Sequence, residues 1–370
     1  MNQETQNTAA VQGELRTAKK RLDSAFFKKG ITLAILSGIC YGLYSAFLTY
    51  AETRGVWGDW FGANKAGVAP FFTIFVLGAI GSAVNDSCSA IWAWIMAAAK
   101  GKLGDFFKVL KTKPGMMMVI CALVGGPLAS TCYVVALNMC GSVVIPITAL
   151  CPAIGAILGR VIYKQELNLR MAIGVFVCVA ATIMIGSTSL TGGTKLTPVG
   201  FIIAFLAALG WGIEGCVAGY GTTLIDYEIG IAIRQTTSGL SNMIILVPIL
   251  SIIGGSAKEG FHLLGQAWTN GPAMIFFIVS GFFALFAYSL WYKGNSMCGA
   301  PLGMACNGAY SFWGPFFCMI IVGIIFKQPG WTIAPIAWVA AIVMFFGIVL
   351  IATNPLDLFK KKTLESGEVA

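Results

Sequence analysis

Two acidic side chains stand where the sequence offers no water. Of the 15 acidic residues, only Asp86 and Glu214 fall well inside long apolar runs. A charge at the centre of a bilayer costs roughly 2.5–3.5 kcal/mol on insertion scales, so an intramembrane carboxylate is a functional candidate by default. The helical face around Glu214 reads Ala207, Trp211, Glu214, Ala218 and Gly221. Small residues beside an acid allow close approach of another helix or of a ligand. Trp211, one turn away, would set an aromatic wall next to the carboxylate. That combination suits an organic cation, held by charge and cation–π attraction. It suits a bound proton equally well, because a low-dielectric setting favours the uncharged acid. The competing reading is a Glu214 that is neutral or paired with Lys or Arg and only holds helices together.

Asp86 belongs to the polar stretch Asn85-Asp86-Ser87-Cys88-Ser89, which reads as a site, as a helix break, or as a segment near a watered end. Arg234 lies at the end of an apolar run, where long cations usually snorkel. The Gln235, Thr236, Thr237 and Ser238 that follow it could instead line a cavity, with Arg234 touching substrate or pairing Glu214. Two other stretches are rich in helix breakers: Pro146, Pro152 and Gly155 in one, Pro301, Asn307, Gly308 and Pro315 in the other. Broken helices at matching places in two halves point to a binding site. Asn307 and Tyr310 are therefore candidate lining residues, with kinking for packing as the plainer alternative.

The elements that must position these groups are membrane helices. Of 370 residues, 57% are hydrophobic and only 11% charged, against roughly 25% charged in soluble domains. About 20 apolar residues cross a hydrocarbon core. Apolar runs lie near 30–51, 68–97, 115–138, 141–162, 169–187, 199–222, 231–253, 272–293, 299–325 and 332–353. Ten transmembrane helices are expected, with a polar tail over 1–29 and a basic tail over 354–370. The first tail carries Val11, Leu15, Ala18, Leu22 and Phe26 at helical spacing among Arg16, Lys19, Lys20 and Arg21. It reads equally as a disordered tail or as an interfacial helix on an anionic leaflet.

The net charge of +9 does not indicate a nucleic-acid partner, since the basic residues sit at helix ends and in tails. There they work as topology signals. With the N-terminus in the cytoplasm, only Arg54, Lys65, Lys195, Lys258 and Lys327 fall on the opposite side. Both termini are thus expected to be cytoplasmic, in a multi-pass protein of the cell membrane. The eleven cysteines all fall in apolar segments without metal-ligand spacing, and His262 is the lone histidine. Buried thiols of this kind pack as small hydrophobes. No metal or cofactor is expected.

An internal repeat runs through the chain. Ala34-Ile35-Leu36 with Tyr41-Gly42-Leu43-Tyr44 reads like Ala204-Phe205-Leu206 with Trp211-Gly212-Ile213-Glu214. Met139-Cys140-Gly141 matches Met297-Cys298-Gly299, and Tyr163-Lys164-Gln165 matches Phe326-Lys327-Gln328. The halves are 30–187 and 198–353. Five helices is an odd number, so the second half enters the membrane in the opposite sense. Inverted repeats are typical of transporters with a site near the midplane. No phosphate-binding glycine loop, zinc motif or nucleophile elbow is present.

The segment from Tyr133 to Gly186, with Ala136-Leu137, Gly141-Ser142, Pro152, Glu166 and Gly174, resembles the drug/metabolite transporter superfamily, specifically its EamA-type ten-helix members. In the second half Trp291, Gly294, Gly299-Ala300 and Gly347 fit, while Pro329 stands where a Glu would be expected. The resemblance implies an all-α membrane fold of two inverted five-helix repeats, a central cavity and alternating access for small organic substrates. In the related small multidrug resistance proteins a first-helix Glu binds cation or proton. Glu214 stands in a similar position in the second half, and Tyr44 replaces it in the first. The expectation is a secondary transporter rather than an enzyme, moving a small organic metabolite and using protons. Glu214, Trp211, Tyr44, Asn307, Tyr310, Asp86 and Arg234 are its expected site residues. A passive channel or lipid flippase is the alternative, and an intramembrane enzyme a weaker one. Oligomeric state, monomer or homodimer, is open.

Overall fold

In the computed structural model, residues 3–64, 69–163, 169–187, 196–222, 224–298 and 300–352 are described. Every regular element among them is helical. In a bilayer each backbone group must find its partner within its own segment, which helices achieve.

The helices that matter for the site are α1 (Gln3–Ala51), α2 (Phe72–Ala99), α3 (Lys113–Cys140), α4 in two pieces (Val144–Thr148 and Cys151–Tyr163) and α5 (Leu169–Ser187). The second set is α6 (Pro198–Gly221), α7 (Tyr227–Ile253), α8 (Gly271–Cys298), α9 in two pieces (Ala300–Asn307 and Tyr310–Ile325) and α10 (Pro335–Ala352). Six of these carry a stretch long and apolar enough to cross a membrane: Ala25–Ala51, Phe72–Ala99, Lys113–Cys140, Pro198–Gly219, Tyr227–Ile253 and Gly271–Cys298. Shorter apolar helices at Val144–Gly155, Ala172–Ala181, Tyr310–Ile325 and Pro335–Leu350 occupy the remaining four expected places.

The N-terminal tail is neither a separate interfacial helix nor an irregular segment. From Gln3 onward it is the first part of α1, continuous with the apolar part. The C-terminal tail expected over 354–370 lies outside the described residues.

Packing follows a regular scheme. α1 packs against α8 and α9, and α6 packs against α3 and α4. α2 lies against α7, and α5 against α10. α2 also meets α8, as α7 meets α3. Adding five to both members of each pair returns another pair on the same scheme. A short helix joins α2 to α3 (Leu103–Leu110), and another joins α7 to α8 (Ala257–Thr269).

The expected breaks are present. α4 is interrupted by a turn at Ala149 and Leu150, and α9 by a turn at Gly308 and Ala309. Five stretches widen into π turns, among them Val124–Ser130 in α3 and Asn242–Leu246 in α7. Such bulges are frequent at functional sites.

Candidate functional site

The polar stretch of α2 is not a helix break. Leu77–Ala99 is one uninterrupted helix, and Asp86 is in its buried middle. Its polar residues are tolerated because α7 runs antiparallel beside most of them, while Ser280 of α8 donates to Asn85 Oδ1 at 2.6 Å. Asn242 Nδ2 donates to Ser82 Oγ at 3.1 Å. Ser238 donates to Asp86 Oδ2, and Gln235 Nε2 donates to Ser89 Oγ. Ser82, Asp86 and Ser89 lie on one face of α2, and Gln235, Ser238 and Asn242 on the facing side of α7, at the spacings that align helix neighbours.

Arg234 does not snorkel. Its side chain is fully buried and carries the densest polar network in the described residues. Nε donates to Glu214 Oε1 at 2.8 Å, and Nη2 to Glu214 Oε2 at 3.3 Å. Nη2 also donates to the Gly125 carbonyl at 3.1 Å and to Ser130 Oγ at 3.3 Å. Nη1 donates to Gln235 Oε1 and stands 3.7 Å from Asp86 Oδ2. The guanidinium carbon lies 4.0 Å from the centre of the Tyr288 ring, a cation–π arrangement. Tyr292 completes the cluster, donating to Glu214 Oε1 at 2.7 Å.

The π turn of α3 shapes this cluster. Ser130 donates to the Gly125 carbonyl at 2.8 Å, and Trp211 Nε1 reaches the same oxygen at 3.1 Å. A Cβ at Gly125 would collide with the Glu214 carboxylate, and one at Gly126 would collide with Ser238. Glycine is required at both positions so that α3 can approach the carboxylate and α7.

Beside the cluster lies an aromatic cavity of about 10 Å³, room for roughly one water. Tyr41, Trp211, Tyr288, Trp291, Tyr310, Asn307, Cys151 and Ala287 line it. Tyr41 stacks on Tyr310 at 4.3 Å between ring centres, and meets Trp211 edge to face at 5.7 Å. Among the described residues, the hydroxyls of Tyr41 and Tyr288 and the indole N–H of Trp291 have no hydrogen-bond partner of ordinary geometry. Buried donors without partners are costly, so the wall is primed for polar as well as aromatic contact.

Of the expected residues, Glu214, Arg234 and Asp86 form the charge cluster. Trp211, Asn307 and Tyr310 line the cavity. Tyr44 does not; it packs behind Tyr41, edge to face at 5.1 Å. Tyr41, one turn earlier, takes the lining place, and Tyr44 stands close to Asp86 and Arg234 instead. Asn307 donates to Ser37 Oγ at 2.6 Å, tying the break of α9 to α1. Gly125, Ser130, Tyr288, Trp291 and Tyr292 escaped sequence reasoning. The Gly125-Gly126-Pro127 run was the available signal for the first two.

A second charge cluster closes the end near the start of α7. Lys100 and Lys102 follow α2, and both pair with the buried Glu228. Lys102 Nζ also stands 2.7 Å from Asp226 Oδ2. Hydrogen bonds to Asp226 and Glu228 raise Lys102 above the usual lysine range. Lys293, at the end of α8, sits over the Tyr227 ring at 4.5 Å.

No family model matches the chain, and no curated protein does. Sixteen solved chains match in structure. One of them, described only as a crystal structure of a protein, is 15% identical with a TM-score of 0.54, covering 89% of this chain and 98% of its own. At that identity the likeness shows a shared fold and carries no activity with it. Among the described residues the chain is all-helical, with six helices long and apolar enough to cross a membrane.

Proposed function

We propose that this chain is a secondary transporter of the EamA-type drug/metabolite kind, moving a small organic metabolite across the cell membrane by alternating access with proton coupling. In this reading all ten apolar helices cross the bilayer, as two inverted repeats of five, with both termini cytoplasmic. The exchange of packing partners on adding five to each helix supports the repeat, as do the matching breaks in α4 and α9. Tyr41 and Trp211, matched in the repeat, meet in the central cavity.

The observation that carries the reading is the composition of the buried cluster: one cation, Arg234, against two carboxyl groups, Glu214 and Asp86. Buried charges persist only when paired, and an unmatched one is strongly destabilising. A proton on the second acid makes the cluster neutral. The hydrogen bonds indicate which acid takes it. Glu214 receives two N–H groups of Arg234 and the Tyr292 hydroxyl. Asp86 receives the Ser238 hydroxyl, while the nearest Arg234 nitrogen stays at 3.7 Å. Glu214 is therefore the clamp on Arg234, and Asp86 the group that loads and releases the proton. Arg234, Glu214, Tyr44 and Tyr288 are the ionisable groups around it. Proton loss leaves one net negative charge beside an aromatic wall, which draws the polar or cationic end of a substrate into the cavity.

The pairing of Lys100 and Lys102 with Asp226 and Glu228 joins the two halves at the cytoplasmic side.

The test starts from purified protein and a thermal-shift screen of amino acids, sugars, nucleosides and amines. A ligand present at 100 times its Kd raises native-state stability by about 2.7 kcal/mol. The reading expects at least one class to stabilise the protein, and the same compound to show saturable counterflow in proteoliposomes that Asp86→Asn uncouples from pH. Uptake without saturation or counterflow would point to a passive channel and overturn it.

A further inference from the structure

A third buried acid lies away from the central cluster. Glu52 follows the end of α1, is 6% exposed, and neither carboxyl oxygen has a hydrogen-bond partner among the described residues. Burial raises its carboxyl well above the usual carboxylate range. It fits against α2 only because residue 81 is glycine: a Cβ there would strike the Glu52 carboxyl. The Trp57 indole nitrogen comes within 3.4 Å of that same point. Trp57 also forms part of the wall of a half-open pocket of about 150 Å³, with Phe61, Thr73, Leu77 and Asn138. Trp57 therefore borders both the pocket and the space around the acid.

Among the described residues no ionisable side chain balances Glu52. Arg54 turns to Tyr50, whose ring it covers at 5.1 Å. Asp59 accepts the Gly55 amide at 3.2 Å. From α2 the acid meets Gly81, and the Trp57 beside it packs on Phe277 of α8 at 4.7 Å. An ionised carboxylate with no partner in such a setting is costly, and the group stays uncharged instead.

Inward from Glu52 the same face of α1 carries Thr49, Ser45 and Tyr41, at three- and four-residue steps. Ser45 shares a hydrogen bond with the Tyr133 hydroxyl at 2.6 Å. Tyr133 lies 5.7 Å from the Tyr41 ring, and Tyr41 lines the central cavity.

We propose that Glu52 is a second proton-binding site, at the end of the bundle opposite the lysine cluster, exchanging its proton with water in the pocket beside Trp57. One carboxylate oxygen accepts one proton from a pocket water, and returns it by the same route or to the hydroxyl-bearing face of α1. The site stands independently of the transport reading; only its link to the cavity rests on it.

A hydrophobic carbodiimide tests the site on the full-length protein in lipid vesicles. The reagent adds across the O–H of a protonated carboxylic acid, and peptide mass mapping locates the adduct. An adduct is expected at Glu52, absent in Glu52→Gln and retained in Asp86→Asn and Glu214→Gln. Above the midpoint its yield should fall about tenfold per pH unit, following the protonated fraction. Trp57→Ala should speed labelling by a water-soluble carbodiimide. An unmodified Glu52 at every pH, or a yield independent of pH, overturns the proposal. Unchanged labelling in Trp57→Ala overturns the route through the pocket. Wild-type labelling needs neither a folded variant nor a known substrate, so its outcome is separate from that of the counterflow assay.

Discussion

Arg234 Nε lies 2.8 Å from Glu214 Oε1, with both side chains fully buried. Breaking such a pair from one side leaves an uncompensated charge, which costs about 3–5 kcal/mol. Arg234→Gln leaves the Glu214 carboxylate without a cation, whereas Glu214→Gln leaves Arg234 beside Asp86, which can give up its proton to balance it, so Arg234→Gln should lower the melting temperature in detergent more than Glu214→Gln does. The double variant should be more stable than Arg234→Gln alone. Additive losses in a double-mutant cycle would show that the two groups do not act as a pair.

Gly125 gives a steric test of the same site. Gly125→Ala places a methyl group against the Glu214 carboxylate. Overpacking of this kind typically costs about 1–3 kcal/mol. The variant should be destabilised and should lose ligand-induced thermal shifts. Gly104→Ala, which meets open space, should do neither.

The lysine cluster sets a pH and salt dependence. Lys102 is raised by its acidic partners, so its contribution is complete below the unfolded value of about 10.4 and is lost as pH rises through the higher folded value. Lys102→Met should therefore lower stability at neutral pH, and the difference from wild type should close only in strong alkali. With the Lys102 side chain 31% exposed, the effect should stay within about 1 kcal/mol. Molar salt should diminish it. A difference that survives high salt would place the main effect of Lys102 elsewhere.

The aromatic wall predicts a ligand effect separable from stability. Tyr41→Phe removes a hydroxyl without a partner and keeps the ring that stacks on Tyr310. Its melting temperature should stay near that of wild type, because no hydrogen bond is lost. The affinity of any stabilising ligand, read by calorimetry, should fall if that hydroxyl meets the ligand. Trp211→Ala, by contrast, should cost about 3–5 kcal/mol through the cavity it leaves.

What was legible in the sequence was what is expensive. Glu214, Arg234 and Asp86 stood out because a charge in an apolar run needs a reason, and the structure brings all three together. The apolar segments were legible through length alone, and the helix breaks through Pro and Gly. Rotation about a helix axis was not. Tyr44 was named because it matches Glu214 in the repeat; the structure sets it beside Asp86 and Arg234, while Tyr41, one turn earlier, lines the cavity. Tyr288 and Tyr292 were hidden among the other aromatic residues of α8, where a site tyrosine and a lipid-facing phenylalanine look alike. Glu52 was hidden for the opposite reason. Next to Arg54 and just past an apolar run, it reads as a solvated loop residue, and only Gly81 on another helix makes room to bury it.

The π turns in α3 and α7 have a mechanical consequence. A π turn holds a surplus residue, and passing that surplus along the chain re-registers the intervening segment by one position, a rotation of about 100° with an advance of about 1.5 Å. Side chains on that segment can then exchange the faces they present while the backbone ladder stays nearly complete. Gly125 and Ser130 lie in one such turn, and Asn242 in another. Shifting either turn along its helix would therefore remodel the walls of the charge cluster without unfolding a helix.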